Sequence, residues 1–230
     1  MGTLVAVFAH PDDETFICGG TLAKASSLDH HVHLLCATKG EMGRRMGIPP
    51  YANRESIASI REKELREACD HLGIAGLHFL SYRDKSLEIQ PMDSMVAKIT
   101  ASFASLQPDW VITFHERLGG HPDHCTIGQA TTIAFAQYQQ THPNCRLYFV
   151  AWPAYAKQPA KYHLDKNDLV SIDIRLVKKQ KWLAFGAHKT QSDLYEWVSL
   201  PEHQALSHLD NTEWLIAGNG QRGQGAQRFL

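Results

Sequence analysis

The sequence has few of the features that direct a protein to a membrane, to the cell exterior or to nucleic acid. Its 23 basic residues are matched by 24 acidic ones, so the net charge gives no reason to expect nucleic acid or an anionic membrane as a partner. The five cysteines form no Cys-x-x-Cys pair, and most lie in apolar stretches, as is typical of reduced, buried cysteines. Residues 1–9 have no basic segment and lead into three acidic residues, which argues against a signal peptide or a membrane span. We therefore expect a cytoplasmic protein.

Segments that read as interdomain linkers are also absent from the sequence. A chain of 230 residues with 43% hydrophobic content is long enough to bury one sizeable core. We expect residues 1–217 to form one domain. Residues 218–230 contain four glycines and two arginines, a composition that predicts a flexible tail.

Apolar runs of strand length alternate with amphipathic stretches of helical length. The predicted strands are residues 4–9, 31–38, 77–80, 110–114, 147–150 and 169–174; the predicted helices are residues 15–27, 54–72, 92–106, 175–188 and 201–217, with another that follows residues 121–124 and ends near residue 140. We expect the charged face of helix 54–72, which includes Arg61 and Glu64, to be solvated. The alternation predicts an α/β, single-domain, Rossmann-like three-layer fold with a mostly parallel sheet and an active site at the carboxyl ends of the strands.

Clusters of polar residues follow two of the predicted strands. His10-Pro11-Asp12-Asp13-Glu14 comes directly after the first strand, and His121-Pro122-Asp123-His124 follows strand 110–114 after a Gly-Gly turn. Because the carboxyl ends of parallel strands open on one crevice, both clusters can converge there. His10, Asp13 and His124 would supply two imidazoles and one carboxylate, which suits a catalytic Zn²⁺ with an open fourth position; Fe²⁺ or Mn²⁺ are alternatives.

The same arrangement leaves Asp12, His121 and Asp123 for acid–base chemistry. Three other interpretations compete with an enzyme of this kind. The clusters could be an acidic first helical turn and an ordinary loop, but both directly follow buried strands, which favours a site. A dinucleotide-binding oxidoreductase would need Gly-x-Gly-x-x-Gly after the first strand, where acidic residues stand instead. A non-catalytic sugar-binding protein would keep the crevice and lose the base, yet Asp12 and His121 are present.

The two clusters resemble the signature of the LmbE/PIG-L family of zinc-dependent de-N-acetylases. Further stretches are similar to the second type of bacillithiol-biosynthesis deacetylase, which acts on N-acetylglucosaminyl malate: residues 40–44, 49–50, 52–55, 60–61, 63–65 and 83–85. The resemblance covers residues 3–130 well and the C-terminal hundred residues poorly, apart from Ala187-His188-Lys189-Thr190-Gln191. It implies removal of the N-acetyl group from an N-acetylglucosamine conjugate, most directly the malate conjugate. A bacillithiol S-conjugate or another such conjugate remains an alternative substrate, and a homo-oligomer is expected from the family.

The resemblance also implies roles for individual residues. The family assigns the position of Asp12 to the general base. We expect His121 to stabilise the oxyanion or to protonate the leaving amine, with the carboxylate of Asp123 hydrogen-bonded to its imidazole. Some relatives have an aromatic hydroxyl where this chain has Gly119-Gly120, so another donor is needed. His115 and His188 are candidates, and a purely structural role is equally open for both.

Substrate contacts are expected from the loop at residues 39–53 and its surroundings. Malate carries two carboxylates, and guanidinium groups can bind such groups bidentately. Arg44 and Arg54 are therefore candidates for malate recognition. The alternative is that they only tie the loop down through Glu41 or Glu55. Glu41 and Arg83 lie in the stretches that resemble the malate-conjugate deacetylases and are further candidates for substrate contacts.

Overall fold

A seven-stranded sheet forms the centre of the computed structural model, which describes residues 1–218. The predicted tail therefore lies almost entirely outside the described residues, and the predicted division of the chain stays a prediction. The strands are β1 (Thr3–Phe8), β2 (His31–Cys36), β3 (Gly76–Phe79), β4 (Trp110–Thr113), β5 (Arg146–Ala151), β6 (Leu169–Asp173) and β7 (Thr212–Ala217). Their order in the sheet is β3-β2-β1-β4-β5-β7-β6, and β7 runs antiparallel to the other six strands. The predicted Rossmann-like, mostly parallel architecture is confirmed.

Helices cover the sheet in two groups. They are α1 (Asp13–Ser27), α2 (Ile57–Leu72), α3 (Met92–Leu106), α4 (Pro122–Gln139), α5 (Pro153–Lys157), α6 (Lys178–Ala187), α7 (Lys189–Ser192) and α8 (Glu202–Ala205). Contacts join α1, α2 and α6 into one group and α3 with α4 into the other. Within residues 1–218, none of the helices combines the length and apolar character needed to cross a membrane.

The innermost strands lie side by side and end at the same edge of the sheet. Every residue of the run 4–9 is fully buried, which explains its uninterrupted apolar sequence, because both faces of a central parallel strand are covered by helices. β1 pairs with β4 in the register Leu4↔Trp110 to Ala6↔Ile112. The loops that leave these strands therefore start next to each other, as the sequence predicted.

The predicted helix at residues 201–217 is wrong. Only Glu202–Ala205 is α-helical, and Thr212–Ala217 forms β7 between β5 and β6. Its β-branched and aromatic residues favour a strand, and its two hydrogen-bonding partners lie far away in sequence. Hydrogen bonding to β5 and β6, which exists only in the folded sheet, therefore outweighs the helical pattern of the local sequence.

The solvated face predicted for α2 is wrong at two positions. Arg61 and Glu64 are only 4% and 6% exposed, because their spacing places them on the same helical face as Ile57, Leu65 and Ala68. Buried charges need partners. Both side chains have partners close to the site described below.

Gly128 allows α4 to lie against the end of β4. A Cβ atom at this position would stand 2.2 Å from the carbonyl oxygen of Phe114, so Gly128→Ala forces the helix away. We expect a loss of about 1–3 kcal/mol in the free energy of unfolding and a Tm lower by roughly 4–10 °C. Gly186→Ala in α6 is the matched control, since the nearest atom would lie 3.6 Å away. Thermal unfolding of both variants checks this, and equal Tm values would contradict the packing argument.

Candidate active site

A pocket of about 240 Å³ opens where β1 and β4 end. It is lined by His10, Asp12, Asp13, Gly43, Arg61, Asp84, Lys85, His121, His124 and Gln191. Five of the six residues predicted for metal binding and acid–base chemistry line it, and the sixth, Asp123, lies directly behind His10. Residues from two sequence clusters more than a hundred positions apart thus meet in one place.

The three predicted metal ligands direct their acceptor atoms at one another. His10 Nδ1 lies 3.2 Å from His124 Nε2 and 3.5 Å from Asp13 Oδ2, and His124 Nε2 lies 3.2 Å from Asp13 Oδ1. A tetrahedral ion with bonds of about 2.0–2.1 Å keeps its ligand atoms about 3.3 Å apart. The side chains present therefore fit a small divalent ion such as zinc.

The other ring nitrogens of the two histidines determine where the protons are. His124 Nδ1 lies 2.9 Å from the carbonyl oxygen of Gly119, which can only accept, so Nδ1 donates and Nε2 keeps a lone pair. His10 Nε2 lies 3.1 Å from Asp123 Oδ2 and 3.2 Å from Asp84 Oδ1, so it donates, and in the neutral ring Nδ1 keeps a lone pair. Two lone pairs and the Asp13 carboxylate consequently face one another, and a cation stabilises such an arrangement.

The ionisation of these groups favours a positive charge at the same point. Burial lowers the pKa of His10, but its bonds to Asp123 and Asp13 outweigh burial and hold that pKa well above the usual value. The pKa of His124 is lowered by burial and raised more strongly by Asp13. Burial raises the pKa of Asp13, yet His124 and His10 hold it well below its usual range.

Asp123 orients a different histidine from the one predicted. Its carboxylate, 1% exposed, accepts hydrogen bonds from Lys85 N at 2.7 Å and Leu87 N at 3.1 Å and contacts His10 Nε2. The prediction that this carboxylate bonds to the imidazole of His121 is therefore wrong. The physical reason is that Asp123, in the first turn of α4, accepts from the amides of Lys85 and Leu87. These amides are distant in sequence, so an argument from the local sequence does not include them.

His121 is oriented by the backbone instead. Its Nδ1 accepts a hydrogen bond of 3.1 Å from Asp123 N, so in the neutral ring the proton is on Nε2. Its ring lies 5.1 Å from that of His10 and 5.2 Å from that of His124, measured between centroids. Burial and the two neighbouring imidazoles lower the pKa of His121, so the neutral ring serves as an N–H donor beside the three acceptor atoms.

Asp12 has a strained backbone and a buried carboxylate. Its φ of 116° is unusual for a residue other than glycine and costs about 1–3 kcal/mol. Burial raises the pKa of Asp12 to about 6, although the Arg61 guanidinium opposes the shift. Arg61 donates to Asp12 Oδ2 at 3.1 Å, to Gly40 O at 2.9 Å and to Pro11 O. It thus joins α2 to Asp12 and to the loop after β2.

Most of the predicted substrate residues from the loop region support the loop itself. Arg54 donates to the carbonyl oxygens of Glu41 at 3.2 Å and Gly43 at 2.7 Å. Glu41 Oε1 accepts from Asp84 N at 3.0 Å, and Arg83 contacts Met42 Sδ at 3.8 Å. For Arg54 the structure favours the alternative of a loop tie.

Arg44 differs from these residues. Its side chain is exposed, and it lines a pocket of about 370 Å³ together with Met46, Ile48 and Leu194. The preceding residue, Gly43, lines the metal-ligand pocket. Arg44 therefore stands at the border of the two pockets with a guanidinium group open to solvent.

The two further histidines lie elsewhere. His115 Nδ1 accepts from Arg117 N at 3.1 Å, and the side chain lines a separate pocket beside Phe149. His188 is fully buried and lies 2.6 Å from Glu14 Oε1. The structure thus contradicts a direct substrate contact for His188, because burial removes the ring from any ligand, and it supports a structural role.

Gly43 lies in the loop that the sequence predicted, but sequence reasoning missed four other residues that line the pocket, namely Arg61, Asp84, Lys85 and Gln191. Each lies in a stretch that carries the family resemblance, which was the available signal. Their roles depend on loop paths and on helix packing, so their side chains could not be assigned to the pocket from spacing alone.

Comparisons with known proteins identify the family of the chain. A family model described as "PIG-L: GlcNAc-PI de-N-acetylase" matches residues 5–135. The chain is 36% identical over 191 residues to a protein of Bacillus cereus named "Probable N-acetyl-alpha-D-glucosaminyl L-malate deacetylase 2", with 83% of this chain and 84% of the relative covered. A Bacillus subtilis protein of the same name is 32% identical over 191 residues, with 83% of each chain covered.

A solved structure has a similar fold. The conserved protein TT1542 from Thermus thermophilus is similar to this chain with a TM-score of 0.68 and 26% identity, over 94% of both chains. The family model spans more than half of the chain, and the two Bacillus relatives extend the similarity over most of it. The protein belongs to the PIG-L family of de-N-acetylases.

Proposed function

We propose that the protein hydrolyses the N-acetyl group of N-acetylglucosaminyl L-malate with a zinc ion held by His10, Asp13 and His124. The observation that carries the proposal is the convergence of His10 Nδ1, His124 Nε2 and the two oxygens of the Asp13 carboxylate, which are joined by distances of 3.2–3.5 Å, beside a buried carboxylate. The names of the Bacillus relatives support the substrate. Two imidazoles with one carboxylate favour zinc, with Fe²⁺ or Mn²⁺ as alternatives. When bound, such an ion polarises a carbonyl group and acidifies water.

Asp12 is the proposed general base. Arg61 holds Oδ2 at 3.1 Å, so the other carboxylate oxygen is the one that accepts the proton of the attacking water. The pKa of about 6 suits this role, since a base works best when its pKa lies near the working pH. Asp12 then returns the proton to the leaving nitrogen.

His121 is the proposed donor to the acetyl oxygen. Because its Nδ1 is bound to the amide of Asp123, Nε2 presents an N–H group that stabilises the negative charge developing on that oxygen. Asp123 and Asp84 act on the metal ligand instead, since both carboxylates fix the orientation of His10.

The proposed partner is a small-molecule glycoconjugate. A cytoplasmic location and assembly into a homo-oligomer stay predictions from the sequence and the family resemblance. Sedimentation velocity would measure the oligomeric state.

Parallel assays test the proposed activity. Acetate and free amine are measured with N-acetylglucosaminyl malate, free N-acetylglucosamine and an S-conjugate of bacillithiol. We expect the highest kcat/KM for the malate conjugate, loss of activity with a chelator and recovery with zinc. A higher kcat/KM for the S-conjugate would contradict the proposed substrate, and no release of acetate from any of the three would contradict the deacetylase assignment.

Asp12 and His124 provide a matched pair for separating the base from the metal ligands. We expect Asp12→Asn to keep one metal per chain and to lower kcat by roughly 10²–10⁴-fold, the usual effect of losing a general base. His124→Ala should lose both metal and activity, since one of three ligands is removed. Metal analysis with steady-state kinetics decides this. Asp12→Asn activity within a few-fold of wild type would remove Asp12 from the mechanism.

Arg44 and Arg54 provide a second matched pair, because they carry the same charge in or beside the same loop and have different contacts. We expect Arg44→Ala to raise KM for the malate conjugate by about tenfold, with little change for free N-acetylglucosamine, since only malate supplies carboxylates. Arg54→Ala should impair both substrates alike, because its guanidinium holds the loop. An equal effect of Arg44→Ala on both substrates would argue against malate recognition by this residue.

A further inference from the structure

Glu14 and His188 form a buried pair directly behind Asp12. Both side chains are fully buried, and Glu14 Oε1 lies 2.6 Å from His188 Nε2. The second oxygen, Oε2, accepts a hydrogen bond of 3.0 Å from the backbone amide of Asp12. Glu14, in α1, thus accepts through Oε2 from the amide two positions before it. His188, 174 positions later in the chain, contacts the other oxygen, Oε1.

Asp12 and Asp13 need an unusual backbone to share one site. Consecutive side chains diverge by about 100° around a helix and by about 180° along a strand, yet both residues line the same pocket. The φ of 116° at Asp12 provides the necessary turn. This conformation is unfavourable for aspartate, so surrounding contacts must hold it.

We propose that Glu14 and His188 are positioning residues that hold the turn at Asp12 and so direct its carboxylate at the substrate. The inference rests on the proposed role of Asp12 as general base. A carboxylate that accepts from a backbone amide makes a strong hydrogen bond, but its buried charge is costly without donors. His188 Nε2 and Thr15 Oγ1, at 2.6 Å and 2.5 Å, supply those donors.

The environment of His188 agrees with a single function for its ring. Because Glu14 can only accept, Nε2 is the donor. Nδ1 is buried and has no hydrogen-bond partner among residues 1–218, although such atoms are usually satisfied. The ring therefore serves the contact with Glu14 and does not bridge a second polar group.

Two substitutions at His188 separate the donor from the ring. His188→Gln keeps an N–H group at a similar distance, whereas His188→Leu keeps bulk and removes the donor. We expect the zinc-loaded Leu variant to lose about 10²-fold in kcat, the scale of a misplaced catalytic group, with KM within about threefold and full metal content. The Gln variant should stay within about fivefold of wild type in kcat.

Amide hydrogen exchange provides a readout that needs no substrate. In His188→Leu we expect the Asp12 amide to exchange at least about tenfold faster, while Val5 and Val7 in β1 exchange as in wild type. Lys181→Met is the matched control, because the Lys181–Glu213 pair is also buried and also joins α6 to α1 through Gly20 and Thr21. This variant should lower Tm and leave kcat and Asp12 exchange unchanged.

Each outcome decides the proposal. Unchanged Asp12 exchange in His188→Leu overturns it, as do equal kcat losses in the Leu and Gln variants, or faster exchange with an unchanged kcat. Should the Leu variant fail to fold, Glu14→Met keeps a side chain of similar length without either acceptor oxygen and must show the same faster exchange and lower kcat. A wild-type protein without deacetylase activity would refute the proposed function, whereas the exchange measurement would still test the pair.

Discussion

The concentration of carboxylates at the end of β1 is the constraint on which the rest of the structure depends. Asp12, Asp13 and Glu14 follow one another there, Asp84 approaches from a loop and Asp123 from the first turn of α4. Burying so much negative charge is unfavourable unless each group has a cationic or N–H partner. The partners come from distant elements, and supplying them brings α2, α4 and the end of α6 to one edge of the sheet. Fold and site are therefore consequences of the same electrostatic requirement.

The parts of the site that the sequence predicts are those carried by local patterns. The run 4–9 and the strand at Trp110–Thr113 are apolar and short, and the polar clusters that follow them are contiguous, so His10, Asp13 and His124 could be placed together from strand order alone. Asp123 was predicted at the right site, but its carboxylate was predicted to bond to the imidazole of His121 instead of that of His10. The carboxylate accepts from the amides of Lys85 and Leu87, and no local periodicity in the sequence predicts the path of that loop.

The same distinction explains the errors in the fold. The burial of Arg61 follows from helical spacing, but charged residues are normally solvated, and only its contacts with Asp12 and Gly40 reveal the exception. The segment that forms β7 was predicted as a helix. Its strand partners are β5 and β6, and a short window of sequence does not contain them. Burial of charge and central antiparallel pairing both depend on tertiary contacts, and tertiary contacts override local propensity.

The position of β7 also bears on the order in which the nascent chain becomes active. The three candidate ligands lie within the first 124 residues, and β1 to β5 are complete at Ala151, so a partly synthesised chain already contains the ligands. His188, which contacts Glu14 Oε1, and β7, which separates β5 from β6, are synthesised later, because synthesis proceeds from the N-terminus. The residues that the proposed chemistry needs are therefore synthesised in two stages, the candidate ligands and Asp12 first, and the residue proposed to hold the turn at Asp12 later.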